Sequence, residues 1–323
     1  MTDTVVVTGG SGFLGSALID LLLDAGYDVC NIDLVSSRRA ADLAGEHIVD
    51  LTDRDATLQI EFTPGANVAH LAGRQYSGQV KRAVRSRFFQ EGNVEGTRNA
   101  LDMAQRNQAQ SFSFVSTDMV YGTPQRSPVD TGHPRNPFGP YGASKVAAED
   151  MILSETRPFR SIVYRPRLIV GPGRFGLMAK LFKAIRKGLP VPIIGSGENV
   201  YQMVSVFDCA SAIVKGIENP AAEGVFNLGS TESESSRPLI DNLIRTVGSR
   251  SRTVPIPSGI IKPVLRVLDR FDLSPLVPEQ FEIADQQYVL DVSQTRDVLG
   301  WDPSRSDAEM MLAAYRRYCD VHG

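Results

Sequence analysis

Thr8-Gly9-Gly10-Ser11-Gly12-Phe13-Leu14-Gly15 decides the fold. It follows Thr4-Val5-Val6-Val7, an apolar β-branched run that reads as a buried strand. It opens the helical pattern Gly12 to Ala25, which Gly26 ends. A glycine series between a strand and a helix is the setting of a dinucleotide-binding turn. Gly9 and Gly12 permit a tight turn and a close approach of the backbone to a pyrophosphate. Gly15 lets the helix pack closely on the strand, and the helix N-terminus turns its donors and positive dipole end toward the anion.

Outward from this turn, Asp28 to Leu34 reads as a second strand with Asp33 near its end, about twenty residues after the glycines. An acid there accepts from a ribose 2′-hydroxyl and repels a 2′-phosphate, which favours NAD over NADP. Arg38 and Arg39 follow closely and offer the opposite option, a phosphate contact.

Further strands are expected at Ala66 to Ala72, Ser111 to Ser116 and Arg160 to Tyr164, with helices at Asn93 to Arg106 and Tyr141 to Thr156. Strands alternating with helices mean α/β, a Rossmann-like doubly wound parallel sheet covered on both faces. After about Arg165 the elements shorten and prolines punctuate them. Helices are expected at Leu177 to Lys187, at Ser205 to Glu218 with its entry at Asp208, at Leu239 to Val247 and at Ser306 to Val321. Val225 to Leu228 and Gln287 to Asp291 read as strands, and Pro255 to Pro278 as a mixed segment. The division expected is a nucleotide-binding domain over 1–165 and a smaller mixed α/β substrate lobe over 166–323, interleaved with the first.

Tyr141-Gly142-Ala143-Ser144-Lys145 carries the chemistry. A phenol and an ammonium four residues apart face one site across a helical turn. A tyrosine at its ordinary pKa of about 10 is a poor base, and a nearby lysine favours the phenolate. The pair can move a proton on an alcohol or a ketone.

The chain has 323 residues, 42% hydrophobic and 22% charged, with a net charge of -3. That balance gives no electrostatic reason to expect nucleic acid or an anionic membrane as partner. Lys81-Arg82 with Arg85 and Arg87 is expected to be a solvated face. Cys30, Cys209 and Cys319 lie far apart, so neither a disulfide framework nor a metal site is expected, and a reducing cytoplasm fits. No signal peptide is expected, because Thr4 to Thr8 reads as a strand. The richest apolar run, Ala17 to Leu23, is short and broken by Asp20, so no membrane span is expected.

His70-Leu71-Ala72-Gly73, Asn93-Val94-Glu95-Gly96-Thr97, Ser116-Thr117-Asp118-Met119-Val120-Tyr121-Gly122, Tyr141 to Lys145, and Arg165-Pro166 with Gly171-Pro172 follow the glycine turn in that order. With these motifs the chain resembles the extended short-chain dehydrogenase/reductases, the NAD-dependent epimerase/dehydratase group. The resemblance runs to Phe226-Asn227-Leu228-Gly229 and Leu299-Gly300-Trp301. It implies a catalytic set of Thr117, Tyr141 and Lys145, in which Thr117 donates to a substrate oxygen and Lys145 also holds the nicotinamide ribose. It implies NAD contacts from Gly9, Gly12, Phe13, Leu14, Gly15, Asp33, Asp50, Leu51, Leu71, Ala72, Gly73, Asn93, Tyr141 and Lys145. It also implies a homodimer formed through the helices at Asn93 to Arg106 and Tyr141 to Thr156. Asn93 also reads as a helix N-cap. His70, among apolar neighbours, reads as a satisfied core histidine rather than a catalytic one.

Two departures bear on function. The 4,6-dehydratases of this group carry Asp-Glu after the threonine, where this chain has Asp118-Met119. Methionine cannot transfer a proton, so dehydration is disfavoured, while Asp118 either touches substrate or caps its loop. Many relatives also carry an arginine near Val200 or Gln202 that pairs with the nucleotide pyrophosphate, and valine cannot do this. Either Arg174 or Lys180 replaces it, or the substrate lacks a diphosphate. The leading expectation is an NAD-dependent epimerase or oxidoreductase on a sugar or sugar nucleotide, with Thr117, Asp118, Tyr141 and Arg174 toward the substrate. The alternatives are a 3β-hydroxysteroid-type dehydrogenase or ketone reductase, and an idle NAD(P)-binding regulator.

Overall fold

Val5, Val6 and Val7 are fully buried and point alternately to the two faces of one sheet. Each fully buried valine contributes on the order of 1.5–3 kcal/mol, and a run of three with no polar face belongs at the centre of a covered sheet. The computed structural model describes residues 3–76, 80–154, 156–173, 175–176 and 178–322.

The first half runs β1 (Thr4–Thr8), α1 (Phe13–Asp24), β2 (Asp28–Asp33), β3 (Gly45–Ile48), α2 (Arg54–Leu58) and β4 (Asn67–His70). It continues with α3 (Arg85–Phe89), α4 (Gly96–Arg106), β5 (Ser111–Val115), α5 (Pro140–Ser154) and β6 (Arg160–Pro166). The second half holds β7 (Leu168–Val170), α6 (Met178–Arg186), β8 (Val191–Ile194), β9 (Met203–Ser205), α7 (Val206–Glu218) and β10 (Gly224–Leu228). It ends with α8 (Ser236–Thr246), β11 (Thr253–Ile256), α9 (Ser258–Arg270), α10 (Pro278–Phe281), α11 (Ser293–Leu299) and α12 (Asp307–His322).

Among the described residues the main sheet has seven strands in the order β10-β6-β5-β4-β1-β2-β3. Every pairing in it is parallel. Val5 and Val7 pack on α1 and α7 through Leu18, Ile19, Leu22 and Ile213, and Val6 packs on α4 and α5 through Leu101 and Ile152. The strand order reverses between β1 and β4. The crevice beyond their carboxyl ends is where open α/β sheets bind ligands. β7 and β9 form one small parallel sheet and β8 and β11 another, beside a separate core around Phe182, Met311 and Tyr315.

Several expectations need correction. Gln287 to Asp291 is not a continuous strand: Tyr288 and Leu290 make only isolated bridges to Tyr201 and Val129. The helix expected from Asn93 begins instead with a π-helical turn, Gln90–Glu95, so Asn93 is inside a helical segment and caps nothing. Ser205, not Asp208, caps α7, its side chain accepting from the Phe207 N–H. Asp208 is buried in the first turn, where it accepts from Ser304. The mixed segment holds a regular helix, α9, with Pro263 inside it. Arg85 is not on a solvated face. It is buried and forms a bidentate pair with Asp269 of α9, at 3.0 and 2.8 Å. Arg87 does face solvent, bonded to Glu91 one turn on. No helix among the described residues is long and apolar enough to cross a membrane.

Candidate active site

Gly9 has φ +73, and a Cβ there would come within 2.6 Å of the Ala72 backbone nitrogen. The turns after β1 and β4 therefore touch, and only a glycine leaves room. A Cβ on Gly15 would meet the Gly9 carbonyl oxygen at 2.1 Å, so α1 starts pressed against its own turn. Asp33, at the end of β2, accepts from the Ser11 N–H at 2.9 Å and the Leu34 N–H at 2.6 Å. Its carboxylate is thereby fixed beside the glycine turn. Asp50 accepts from the Thr52 N–H at 2.9 Å, and the Leu51 carbonyl is held by Asn99 at 2.8 Å.

These residues line one cleft of about 600 Å³, with Phe13, Leu14, Leu71, Ala72 and Gly73. The same cleft is lined by Thr117, Asp118, Tyr141 and Lys145. Neither Arg38 nor Arg39 reaches it: both bond Asp20, and Arg39 also bonds Asp42. Among the described residues the lining cations are Arg74, Lys145 and Arg167, none of them on the loops after β2 and β3. A dinucleotide without a 2′-phosphate fits this set. The glycines clear space for a pyrophosphate and Asp33 stands ready to accept from a ribose hydroxyl.

Lys145 is buried on α5. Its ammonium donates to the Val115 carbonyl at 2.9 Å and sits 4.5 Å from the centre of the Phe114 ring. Burial lowers its pKa to about 8, against the pull of Glu149, which raises it. Tyr141 lies one turn earlier on the same helix, its ring edge-on to Phe89 at 5.4 Å and to Tyr76 at 6.3 Å. Thr117 follows β5 and caps the short 3-10 turn Asp118–Val120. Its hydroxyl accepts from the Met119 N–H at 3.3 Å and donates to Asp118 at 3.2 Å.

Asn93 is buried and does not line the cleft. It acts from behind the wall, accepting from the Arg74 N–H at 2.6 Å and donating to the Arg74 carbonyl and to the Ser144 hydroxyl. The π turn supplies the extra residue that aims this amide at the 73–74 loop, and such turns recur at functional sites. His70 is a core histidine, bonded to Thr8 at 2.7 Å and Thr97 at 3.0 Å, and burial lowers its pKa to about 3. Asp118 caps nothing, since Thr117 takes that role; its carboxylate pairs with Arg167. Val200 does not line the cleft, and its neighbour Tyr201 does. Lys180 donates to the Pro275 carbonyl at 2.8 Å and does not line the cleft. Arg174 lies outside the described residues.

Two of the cleft residues that the sequence reading missed are Glu279 and Arg167. Glu279, on α10, accepts from the Tyr76 hydroxyl at 3.0 Å and from the Tyr141 N–H at 3.4 Å. Burial raises its pKa. No motif marks it, because its meaning comes from docking on α5 from far along the chain. Arg167 is the second, one residue beyond the Arg165-Pro166 pair that the sequence did flag. Arg165 does not line the cleft and is spent on Glu149, at 2.9 and 2.6 Å.

The profile of the NAD dependent epimerase/dehydratase family matches residues 5–229. The chain is 32% identical to the UDP-glucose 4-epimerase of Mycolicibacterium smegmatis, covering 94% of this chain and 95% of that one. It is 26% identical to the dTDP-glucose 4,6-dehydratase of an Actinoplanes species, over 93% of this chain and 92% of that one. Among solved structures, the Thermus thermophilus UDP-glucose 4-epimerase in complex with NAD superposes with a TM-score of 0.74 at 24% identity, covering 98% of this chain and 99% of that one.

Proposed function

The chain belongs to the NAD dependent epimerase/dehydratase family, and on that premise we propose that it is an NAD-dependent epimerase acting on a hydroxyl-bearing carbon of a sugar nucleotide. One observation carries the reading: Thr117 and, from a separate place in the sequence, Tyr141 and Lys145 line the same cleft as the glycine turn and Asp33. When bound, NAD supplies the hydride acceptor and donor.

The residues of the chain handle the proton. Lys145 favours the phenolate of Tyr141, which removes the proton from the substrate hydroxyl as its carbon becomes a ketone. Thr117 would exchange its bond to Asp118 for one to that oxygen, holding the reacting carbon in place. Once the ketone turns over in the cleft, Tyr141 returns the proton to the oxygen and the inverted alcohol leaves.

Elimination of water, the reaction named for the Actinoplanes relative, needs both an acid and a base, and of the Asp-Glu pair that would supply them after Thr117 this chain keeps Asp118 but has Met119 in the second place. The cleft carboxyl nearest Tyr141, Glu279, is already engaged by Tyr76 and the Tyr141 backbone. Epimerisation is therefore the better reading. A second reading has one observation in its favour. Leu168, Ile169, Val170, Phe175 and Met178 give the second-half wall an apolar lining, which suits a steroid-like or other apolar ketone.

Purified enzyme should interconvert two sugar nucleotides epimeric at one carbon without added cofactor. Steady accumulation of NADH would instead mark a dehydrogenase, and turnover of an apolar hydroxysteroid alone would favour the second reading. Tyr141→Phe is expected to lower kcat by about 10²–10⁴-fold with NAD still bound, the range for loss of a positioned proton-transfer group. Unchanged turnover would remove Tyr141 from the chemistry, and a wild-type protein that binds NAD but turns over none of these substrates would be a nucleotide-binding regulator.

A further inference from the structure

The helix α9 is turned inside out. Its buried positions are Lys262, Leu265 and Asp269, two of them charged. Lys262 donates to the Glu282 carbonyl at 2.7 Å and to Asp285 at 2.5 Å, and Asp269 holds Arg85. The other side of the helix carries Ile260, Val264, Val267 and, at its end, Phe271, each between 47% and 67% exposed. Their spacing of four, three and four residues puts them on one stripe, and the exposed Leu273 continues it. A helix on a soluble protein turns such a stripe to the core. Rotating this one inward would break both buried ion pairs, so the fold fixes the stripe outward. An apolar row held in water in this way marks a surface that something covers.

Charge chooses the occupant. The Arg82 N–H donates to Asp272 at 2.7 Å, which sets Lys81 and Arg82 beside the end of α9. Lys81, Arg82 and Arg270 are exposed, and among the described residues none has a carboxylate partner. The carboxylates nearby are spent: Asp269 on Arg85, Asp272 on Arg85 and the Arg82 N–H, Glu282 on Arg266. The face is therefore apolar with a cationic rim, on a chain whose net charge is -3. That pairing suits anionic headgroups over an acyl layer. It does not suit a second copy. The helix has 13 residues, so the row covers about 20 by 10 Å, roughly 200 Å² against the roughly 800 Å² per partner of a stable interface. A two-fold contact would also crowd the same cations together. A peptide helix docks in a groove, whereas this row stands on a ridge.

We propose that the outer face of α9 docks the protein on an anionic lipid bilayer. The helix lies in the plane of the interface, with Val264, Val267 and Phe271 among the upper acyl carbons and Lys81, Arg82 and Arg270 on the headgroups. One short helix gives peripheral, reversible binding. α10 packs on α9 and brings Glu279 and Gln280 to the cleft, so docking carries the cleft to the membrane surface. The proposal does not depend on which substrate the cleft takes.

The test is cosedimentation of the full chain with vesicles of phosphatidylcholine alone and of phosphatidylcholine with phosphatidylglycerol. Wild-type protein is expected to bind the anionic vesicles at least about tenfold more tightly than the neutral ones. Val267→Asp with Phe271→Asp, both at exposed positions, is expected to weaken binding to the anionic vesicles at least about tenfold. Lys81→Gln with Arg82→Gln and Arg270→Gln is expected to bring the two vesicle types to within about twofold of each other. Wild-type protein that stays in the supernatant with anionic vesicles overturns the proposal, whether or not the variants fold. A folded aspartate variant that binds as the wild type does also overturns it, and leaves only a general attraction to anions. Wild-type self-association that the aspartate pair abolishes, with no vesicle binding, overturns it in favour of a second copy.

Discussion

Lys145 holds its charge in a buried part of the site. Burial against Phe114 brings its pKa from the ordinary 10.5 to about 8. Between those two values the unfolded chain keeps a proton that the folded chain has released. This group's contribution to stability therefore rises with pH across that window, and its full cost is felt below about pH 8. Activity runs the other way. The ammonium that favours the Tyr141 phenolate is lost as pH rises through about 8, so kcat/KM is expected to fall on an alkaline limb centred there. A pH profile of kcat/KM checks this, and a profile still rising at about pH 10 contradicts it.

Thr117, Tyr141 and Lys145 were legible in the sequence because their spacing and neighbours form a pattern along the chain. Glu279 and Arg167 were not, because each acquires its meaning from residues far away in sequence: Tyr76 and Tyr141 for the first, Asp118, Tyr201 and Tyr288 for the second.

At the scale of elements, α5 carries both Tyr141 and Lys145, so whatever fixes its first turn fixes the chemistry. Glu279 does this from α10 by accepting the Tyr141 N–H, an exposed-end donor that the helix itself cannot satisfy. Glu279→Ala frees that donor and the Tyr76 hydroxyl together. It is expected to cost about 1–3 kcal/mol in thermal unfolding and to raise KM, while Glu279→Gln, which keeps an acceptor, costs less. A KM unchanged in the alanine variant would show that α5 holds its own first turn.

The buried strands were read correctly where apolar runs gave no polar face, as at Val5 to Val7. Gln287 to Asp291 misled because alternation there reflects Tyr288 and Leu290 plugging a small core with Val120, Tyr121 and Ile283, without a full ladder. The π turn at Asn93 was invisible, since one extra residue in a helical turn leaves no mark on an amphipathic pattern.

At the scale of the whole molecule, Arg85 and Asp269 join α3 to α9, both nearly enclosed. Removing one member leaves the other charge buried and alone. Arg85→Met is expected to cost about 3–5 kcal/mol in urea unfolding, far more than a surface pair. A loss below about 1 kcal/mol would mean that water reaches the pair.

The alternation of strand and helix made the main sheet legible, and the small second sheets were not, because their strands are three or four residues long.

β10 (Gly224–Leu228) lies well inside the second half, yet it pairs with β6 along the main sheet. The two halves of the chain thus share one ladder of backbone hydrogen bonds. Cut after residue 165, the chain would bare the β6 edge as a template for stray strands. Nor can the second half of the chain be exchanged like a cassette for that of a relative. Any graft must leave β10 and its preceding helix α7 in place and splice around them. New substrate preferences in this scaffold are therefore reached by changing side chains and loops on a shared frame, never by trading halves.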